Sequence, residues 1–275
     1  MASKVLSQID KDGNATIALN RPDVHNALDP EMGAQLISTL QALDANPKVR
    51  AVVIMGQGAS FCAGADIGHM RKSATYSKKQ NYEAALAHAQ IYHTIYTLQK
   101  PTIARVHGAV RGGGMGIVAA CDIAVGSLDA TFRLSEVRLG IAPVMISPYV
   151  VAAIGERQSR RYFLTAETFD AAEAFRIGLL HDLVIADELN ARIGNLLAEL
   201  YCGGPQAVAF AKRQIAKVAQ ATIGPETVEE TARGIATMRA TAEAQEGLGA
   251  FLENRPAAWL TPAAPAKKTK KRSPR

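Results

Sequence analysis

Two short segments of the sequence are rich in small residues, whose backbone N–H groups could bind a negatively charged atom of another molecule. The segment 61–66 reads Phe-Cys-Ala-Gly-Ala-Asp, and the triplet 112–114 is all glycine and precedes an apolar stretch. Small residues let a backbone approach another molecule closely, and free N–H groups at a helix start attract an anion. Because glycines also mark ordinary turns and close packing, a structural role for both segments stays open.

A third segment holds an acid, Glu136, next to the apolar residues of 134–141. A carboxyl group in apolar surroundings has a raised pKa and can act as a general acid or base. A single glutamate outside any motif is usually a surface residue, so Glu136 alone does not establish catalysis.

Other familiar motifs are missing. Met115 and Gly116 break the spacing of a dinucleotide-binding loop, no P-loop Gly-Lys-Ser/Thr follows the triplet, and no Gly-x-Ser-x-Gly occurs. Without metal-ligand spacing, the histidines are expected to be surface or packing residues: His25, His69, His88, His93, His107 and His181. The sequence therefore predicts no metal.

The elements that must position these segments alternate between strand and helix patterns in the first half of the chain. Strands are predicted at 15–19, 51–55, 103–106 and 123–125. Helices are predicted from Asp29 to Leu43, at about 81–98, and from the triplet to about 120. Such alternation favours an α/β fold with parallel pairing.

After about residue 186 only helical patterns remain. Three apolar stripes lie in 189–200, 208–218 and 228–235. We therefore expect a core with the candidate site at 1–186, a helical oligomerisation region at 187–260, and a basic tail at 261–275.

Composition narrows the class of protein. The 275 residues are 48% hydrophobic and 20% charged, which excludes a disordered or fibrous chain. No apolar run is long enough to cross a membrane, and the three cysteines are too few for a disulfide framework. A cytoplasmic protein without a membrane partner is expected.

The net charge of +6 comes from the end of the chain. Residues 262–275 hold six basic residues and no acid, and the rest of the chain has 25 of each. We interpret this tail as a solvated, disordered end and expect no nucleic-acid partner. Contact with an anionic partner such as RNA is the alternative.

Taken together and in this order, the three segments resemble the crotonase, or enoyl-CoA hydratase/isomerase, superfamily. The resemblance covers about residues 15–259. Further matching pieces are 19–22 (Leu-Asn-Arg-Pro), 26–28 (Asn-Ala-Leu), 121–124 (Cys-Asp-Ile-Ala), 164–166 and 177–179. It implies a fold of stacked β-β-α repeats with a C-terminal helical trimerisation region, in which trimers often pair into hexamers.

The resemblance also implies a site for an acyl-CoA thioester. Its oxygen would be held by the N–H groups of Ala65 and Gly113. Ala63, Asp66, Ile67 and Gly68 would complete the substrate-binding set along the CoA. The family often has a lysine where Gly68 stands. No separate cofactor is implied, because coenzyme A is part of the substrate.

Hydratases of the standard type in this superfamily carry two catalytic glutamates. The second matches Glu136, whereas the position of the first is Gly116, so that acid is missing here. Either Glu136 handles both proton movements of hydration, or the reaction needs one acid/base, as in isomerisation. RNA binding through the tail is a third, non-catalytic hypothesis.

Local matches within 121–157 and 251–259 resemble the bacterial methylglutaconyl-CoA hydratases of leucine breakdown. That substrate carries a free carboxylate, for which the sequence offers Arg71, Arg133 and Arg138 as candidate partners.

Overall fold

The computed structural model describes residues 3–260, which contain ten strands and ten α-helices. The strands are β1 (Val5–Ile9), β2 (Asn14–Leu19), β3 (Ala51–Gly56), β4 (Ser60–Cys62), β5 (Thr102–Val106), β6 (Ala109–Arg111), β7 (Ile123–Ser127), β8 (Thr131–Arg133), β9 (Phe169–Asp170) and β10 (Asp182–Val184). The helices are α1 (Pro30–Ala45), α2 (Ile67–Ser73), α3 (Lys78–Thr97), α4 (Gly113–Ala120), α5 (Ser147–Thr165), α6 (Ala171–Arg176), α7 (Leu189–Cys202), α8 (Pro205–Val218), α9 (Pro225–Arg239) and α10 (Ala242–Leu252).

The strands form two sheets, and from β3 to β8 successive strands alternate between them. The larger sheet has the order β1-β2-β3-β5-β7-β10, and the smaller has the order β4-β6-β8-β9. Only the pairs β1·β2 and β8·β9 are antiparallel among the described strands. Three successive units of two strands and a helix, one strand in each sheet, therefore stack along the chain, which confirms the predicted fold.

Helix α1 shows how local sequence fixes an element. Asp29 caps it by accepting from the Met32 N–H, and Pro30 occupies its first position. The predicted stripe is buried along its inner face: Met32, Leu36, Leu40 and Leu43. Each such side chain contributes about 1.5–3 kcal/mol by leaving water.

Helix α3 begins three residues before the predicted start. Ser77 and Gln80 form a capping box, so the helix starts at Lys78 although its first turns bury no side chain. Apolar spacing gave a start near residue 81 because it does not register a polar cap, and the buried side chains of the helix begin only at Ile91.

The first compact unit of the chain extends to Leu200. Within it, Leu189 and Ile193 of α7 pack on Val53, Ile103 and Val125 of the larger sheet. The predicted division at 186/187 into core and oligomerisation region stays a prediction.

The second unit begins at Tyr201 and contains α8, α9 and α10. Helix α10 is an additional helix that the three predicted stripes did not include. Glu243, near its start, accepts from the N–H groups of Gln206 and Ala207 at the start of α8. No helix in the described chain is long and apolar enough to span a membrane, and the predicted tail at 261–275 lies outside the described residues.

Candidate active site

Three parallel strands bring the three candidate segments to one edge of the smaller sheet. β6 pairs with β4 on one side and with β8 on the other, both in parallel. Ala65 follows the end of β4, Gly113 follows β6, and Glu136 follows β8 within three residues. Because the carboxyl ends of parallel strands lie at the same edge, segments far apart in sequence become neighbours.

Glycines allow the first two segments to touch. A Cβ on Gly114 would lie 2.6 Å from the Cys62 carbonyl oxygen. A Cβ on Gly64, whose φ is +88°, would lie 3.0 Å from the Arg111 carbonyl oxygen. Any larger residue would push the backbones apart.

The Glu136 carboxyl packs on the backbone of the triplet. A Cβ on Gly112 would lie 2.9 Å from Glu136 Oε1, and Gly112 has a φ of +44°. Space and backbone conformation therefore both require glycine at this position.

The N–H of Ala65 points away from the strand-like segment beside it. The Leu28 N–H donates to the Gly64 carbonyl at 2.7 Å, and the Asp66 N–H donates to the Leu28 carbonyl at 3.0 Å. This parallel bridge uses the groups that flank Ala65, so those of Ala65 itself face the other way.

Gly113 supplies the second donor. It is the first residue of α4, so its N–H has no acceptor within its own helix. The positive end of the helix dipole also lies here. Two free backbone donors from neighbouring segments are the arrangement that stabilises an oxyanion.

Glu136 is the candidate acid/base beside these two donors. Burial raises the pKa of its carboxyl above the ordinary value. Its Oε2 atom is buried and has no hydrogen-bond partner in the described chain. A partly desolvated, unpaired carboxyl is unfavourable for folding and is typical of a functional group.

The position of the missing second acid is closed. A Cβ on Gly116 would overlap the Ile146 side chain and lie 2.7 Å from Cε1 of Tyr92. Gly116 itself is buried, so the packing leaves no room for a carboxyl side chain.

The predicted CoA-contacting residues lie in one short segment, which consists of the loop 63–66 and the first two residues of α2. Asp66 caps α2 by accepting from the His69 N–H, the contact that most lowers the pKa of its carboxyl. Arg21 bonds to Asp66 at 3.0 Å and to the Ala27 carbonyl at 2.6 Å. Ile67 is exposed, as is Gly68 beside it. Arg21 therefore holds this loop, a role that its sequence motif did not reveal.

The start of the same segment is held by hydrogen bonds to the residues around Asn26. The Ala63 N–H donates to the His25 carbonyl, and the buried Asn26 amide donates to the carbonyls of Gln57 and Ser60, each at 2.8 Å. His25 thus holds Ala63, and Leu28 of the matched Asn-Ala-Leu piece holds the residues on either side of Ala65.

Two residues beside Gly113 were not predicted to belong to the site. A Cβ on Gly113 would lie 2.6 Å from the Tyr92 hydroxyl and 3.4 Å from Nε2 of His88. These two side chains are hydrogen-bonded to each other at 2.8 Å. Their spacing of four residues puts them on one face of α3, but that pattern does not distinguish a site from ordinary packing.

The three candidate arginines differ in their surroundings. Arg133 Nε donates to the Ala166 carbonyl at 2.9 Å, whereas Arg71 and Arg138 are exposed. No cluster of residues that could hold a metal occurs within residues 3–260.

Comparison with known proteins places these features in context. Residues 10–262 match the family model described as enoyl-CoA hydratase/isomerase. A crotonyl-CoA hydratase of Syntrophomonas wolfei is 30% identical, with 90% of this chain and 94% of the relative covered. A 4-chlorobenzoyl coenzyme A dehalogenase of Arthrobacter is 29% identical, with 82% and 83% covered.

The crystal structure of an enoyl-CoA hydratase from Shewanella pealeana is also similar. It superposes with a TM-score of 0.91 at 36% identity, with 94% of this chain and 96% of that chain covered.

The tight packing around Gly116 predicts how substitutions at this position change stability. We expect Gly116→Ala to lower the free energy of unfolding by about 1–3 kcal/mol through overpacking. In the double variant with Ile146→Ala, the removed side chain frees space, so the two losses are expected to be less than additive. Urea unfolding of the four proteins measures this coupling; strict additivity would show that Ile146 does not close the position.

Because Glu136 is buried, the stability of the fold is expected to decrease as the pH rises and this carboxyl ionises. Because its folded-state pKa is raised, the protonated form stabilises the fold below the unfolded-state pKa, and this contribution is lost as pH rises through the folded-state pKa. Glu136→Gln is therefore expected to unfold at a higher temperature than the wild type at pH 8, with the difference shrinking toward pH 4. Calorimetry tests this, and a less stable variant at pH 8 would contradict it.

Proposed function

Because the chain belongs to the enoyl-CoA hydratase/isomerase family, we propose that it is a lyase that adds water across the α,β double bond of an enoyl-CoA. The observation that supports this most is that the Glu136 carboxyl packs on Gly112, the residue between the segment that carries Ala65 and the start of α4 at Gly113. Acid/base chemistry and oxyanion stabilisation are thereby combined in one place.

The two backbone donors would act on the thioester oxygen. As water adds, the thioester becomes enolate-like and its oxygen gains negative charge. Fixed donors stabilise that charge more than the neutral carbonyl, so they lower the barrier. The N–H of Ala65 and that of Gly113, which adds the helix dipole, fit this role.

Glu136 would carry both proton movements. The water O–H bond breaks, the oxygen bonds to Cβ, the proton passes to Glu136, and Glu136 gives a proton to Cα. This assignment follows from Gly116, where Ile146 and Tyr92 fill the space that a second acid would need.

The same single carboxyl supports isomerisation as the second candidate. In that reaction Glu136 would remove a proton from one carbon of a 3-enoyl-CoA and return it to another. The two reactions differ in substrate and in the direction of the absorbance change, so one assay separates them.

The segment 63–68 would hold the CoA part of the substrate, with coenzyme A present only as part of that substrate. Arg21 keeps Asp66 in place, which fixes the exposed Ile67 and Gly68 beside the donor Ala65.

For the acyl group we propose 3-methylglutaconyl-CoA, an intermediate of leucine breakdown. The support is the local sequence resemblance around Glu136. Of the three arginines, Arg71 and Arg138 are exposed and could turn toward a substrate carboxylate, whereas Arg133 is engaged with Ala166.

Removing the acid/base tests the reaction. Glu136→Gln is expected to lower kcat by about 10²–10⁴-fold while acyl-CoA affinity stays within about tenfold. In the wild type, kcat/KM should fall as pH drops through the raised pKa of Glu136, because the base must be ionised. Glu188→Gln, an exposed glutamate of the same unit, is the matched control. A variant at position 136 with wild-type kcat would refute the assignment.

A substrate panel tests the acyl group. A bidentate contact from an arginine to the substrate carboxylate is worth about 1.5–3 kcal/mol, so at least about a tenfold preference in kcat/KM for methylglutaconyl-CoA over crotonyl-CoA is expected. Arg138→Gln and Arg71→Gln identify which arginine is responsible. Loss of enoyl absorbance indicates hydration, and its appearance from 3-enoyl-CoA indicates isomerisation. Equal kcat/KM values for the two hydration substrates would exclude the specific assignment.

The second unit is proposed to mediate a trimer or a pair of trimers. Its helices leave large apolar side chains exposed, including Ile215, Val228 and Phe251, and such surfaces mark interaction sites. Light scattering at micromolar concentration is expected to give a trimer or hexamer, with or without residues 261–275. A monomer would contradict this.

A further inference from the structure

One residue of the chain contacts both segments that carry the backbone donors. Leu28 forms the parallel bridge with Ala65. Its N–H donates to the Gly64 carbonyl at 2.7 Å, and its carbonyl accepts from the Asp66 N–H at 3.0 Å. The fully buried Leu28 side chain packs on the other donor residue, because a Cβ on Gly113 would lie 3.1 Å from the Leu28 Cδ1 atom. The position of Leu28 therefore affects how far apart the two donors lie.

The guanidinium of Arg21 ties the two sides of this bridge together. Its Nη1 atom donates to the Ala27 carbonyl at 2.6 Å and lies 3.4 Å from the Asp29 carboxylate, so it holds the residues on both sides of Leu28. Its Nη2 atom donates to the Asp66 carboxylate at 3.0 Å, on the other side of the bridge. One planar group thus spans both of the segments that the bridge joins.

The two carboxylates that bind Arg21 are themselves fixed. Asp29 caps α1 by accepting from the Met32 N–H, and Asp66 caps α2 by accepting from the His69 N–H. The side chains of Arg21, Asp29 and Asp66 are only 19%, 15% and 16% exposed. Ion pairs that are largely removed from water are screened little by salt, so these contacts hold the guanidinium in one geometry.

We propose that Arg21 is a positioning residue, which sets the separation of the Ala65 and Gly113 donors. It acts through the bridge at Leu28 and through Asp66. The inference rests on the proposed function, in which both donors bind the thioester oxygen. Donors stabilise a developing charge only at the right distance, and a displacement of about 1 Å lowers a rate about 10²-fold. Arg21 itself moves no proton in this role.

Arg21→Lys tests the need for a guanidinium at this position. Lysine keeps the positive charge, but its ammonium lacks the planar fork that reaches Ala27 and Asp66 at once. We expect kcat for the enoyl-CoA to fall about tenfold and KM to rise less than about threefold. Arg192→Lys is the matched control, because Arg192 forms a partly exposed ion pair with Asp182 in the same unit, and it should leave kcat unchanged.

A chromophoric substrate analogue reports on the donors directly. The absorbance of dimethylaminocinnamoyl-CoA moves to longer wavelength when hydrogen-bond donors polarise its thioester carbonyl. This red shift on binding is expected to be smaller in Arg21→Lys than in the wild type, and unchanged in Arg192→Lys. A purely structural role would lower the melting temperature and leave the red shift of the folded protein unchanged.

Two further variants test the contacts on each side of the bridge. Asp66→Asn keeps the cap of α2, since asparagine caps a helix as well as aspartate does, but it removes the charge that binds Arg21. Leu28→Ala keeps the backbone bridge and removes the side chain that packs on Gly113. Each is expected to reduce the red shift. Leu40→Ala, at a fully buried leucine of α1, is the control for a cavity and should leave the red shift unchanged.

The outcomes distinguish this inference from the proposed function. If the wild type shifts the absorbance and hydrates an enoyl-CoA, yet Arg21→Lys does both to the same extent, the positioning role alone is overturned. A raised KM with wild-type kcat and red shift also overturns it, because Arg21 would then hold only the CoA segment. If Arg21→Lys does not fold, an undiminished red shift in both Asp66→Asn and Leu28→Ala overturns the role. A wild type that neither shifts the absorbance nor hydrates an enoyl-CoA would overturn the proposed function.

Discussion

The close approach of two glycine backbones is the constraint on which the candidate site depends. β4 and β6 run in parallel, and the loops that follow them touch only because Gly64 and Gly114 have no side chains. This contact sets the separation of the Ala65 and Gly113 donors. Donors on fixed backbone need no reorganisation during a reaction, and such preorganisation is the main source of electrostatic catalysis.

β8, the third of these parallel strands, brings Glu136 to the site, and the buried carboxyl lowers the stability of the fold. β8 continues the parallel order, so the residue that follows it reaches the same edge, and Gly112 lets the Glu136 carboxyl rest on the backbone. An unpaired carboxyl in this position opposes folding. Phe61 of β4 and Phe132 of β8 are fully buried, so the strands that lead to this edge are anchored in the core.

Packing also accounts for the single carboxyl at a site where the sequence resemblance implied two. Gly116 is not an open vacancy for an acid, because the Ile146 and Tyr92 side chains occupy that volume. The same tyrosine binds His88, so the residue that closes one position orients a polar group at another. The chemistry of the site is therefore coupled to the shape of the core behind it.

Features that depend on local residue patterns could be predicted from the amino-acid sequence alone. The stripe of α1 and the apolar strand β3 are local hydrophobic patterns, which predict secondary structure directly. The glycine triplet and Glu136 were interpreted as a site only through the family resemblance. The capping box at Ser77 and Gln80, which marks the start of α3, is also a local signal. It could have been predicted from the sequence, but apolar spacing did not show it. Three contacts become visible only in the folded chain: Ile146 closes Gly116, Arg21 holds Asp66, and His88 and Tyr92 lie against Gly113. Those contacts join residues from 21 to 45 positions apart, and no local pattern encodes a separation set by strand order and packing.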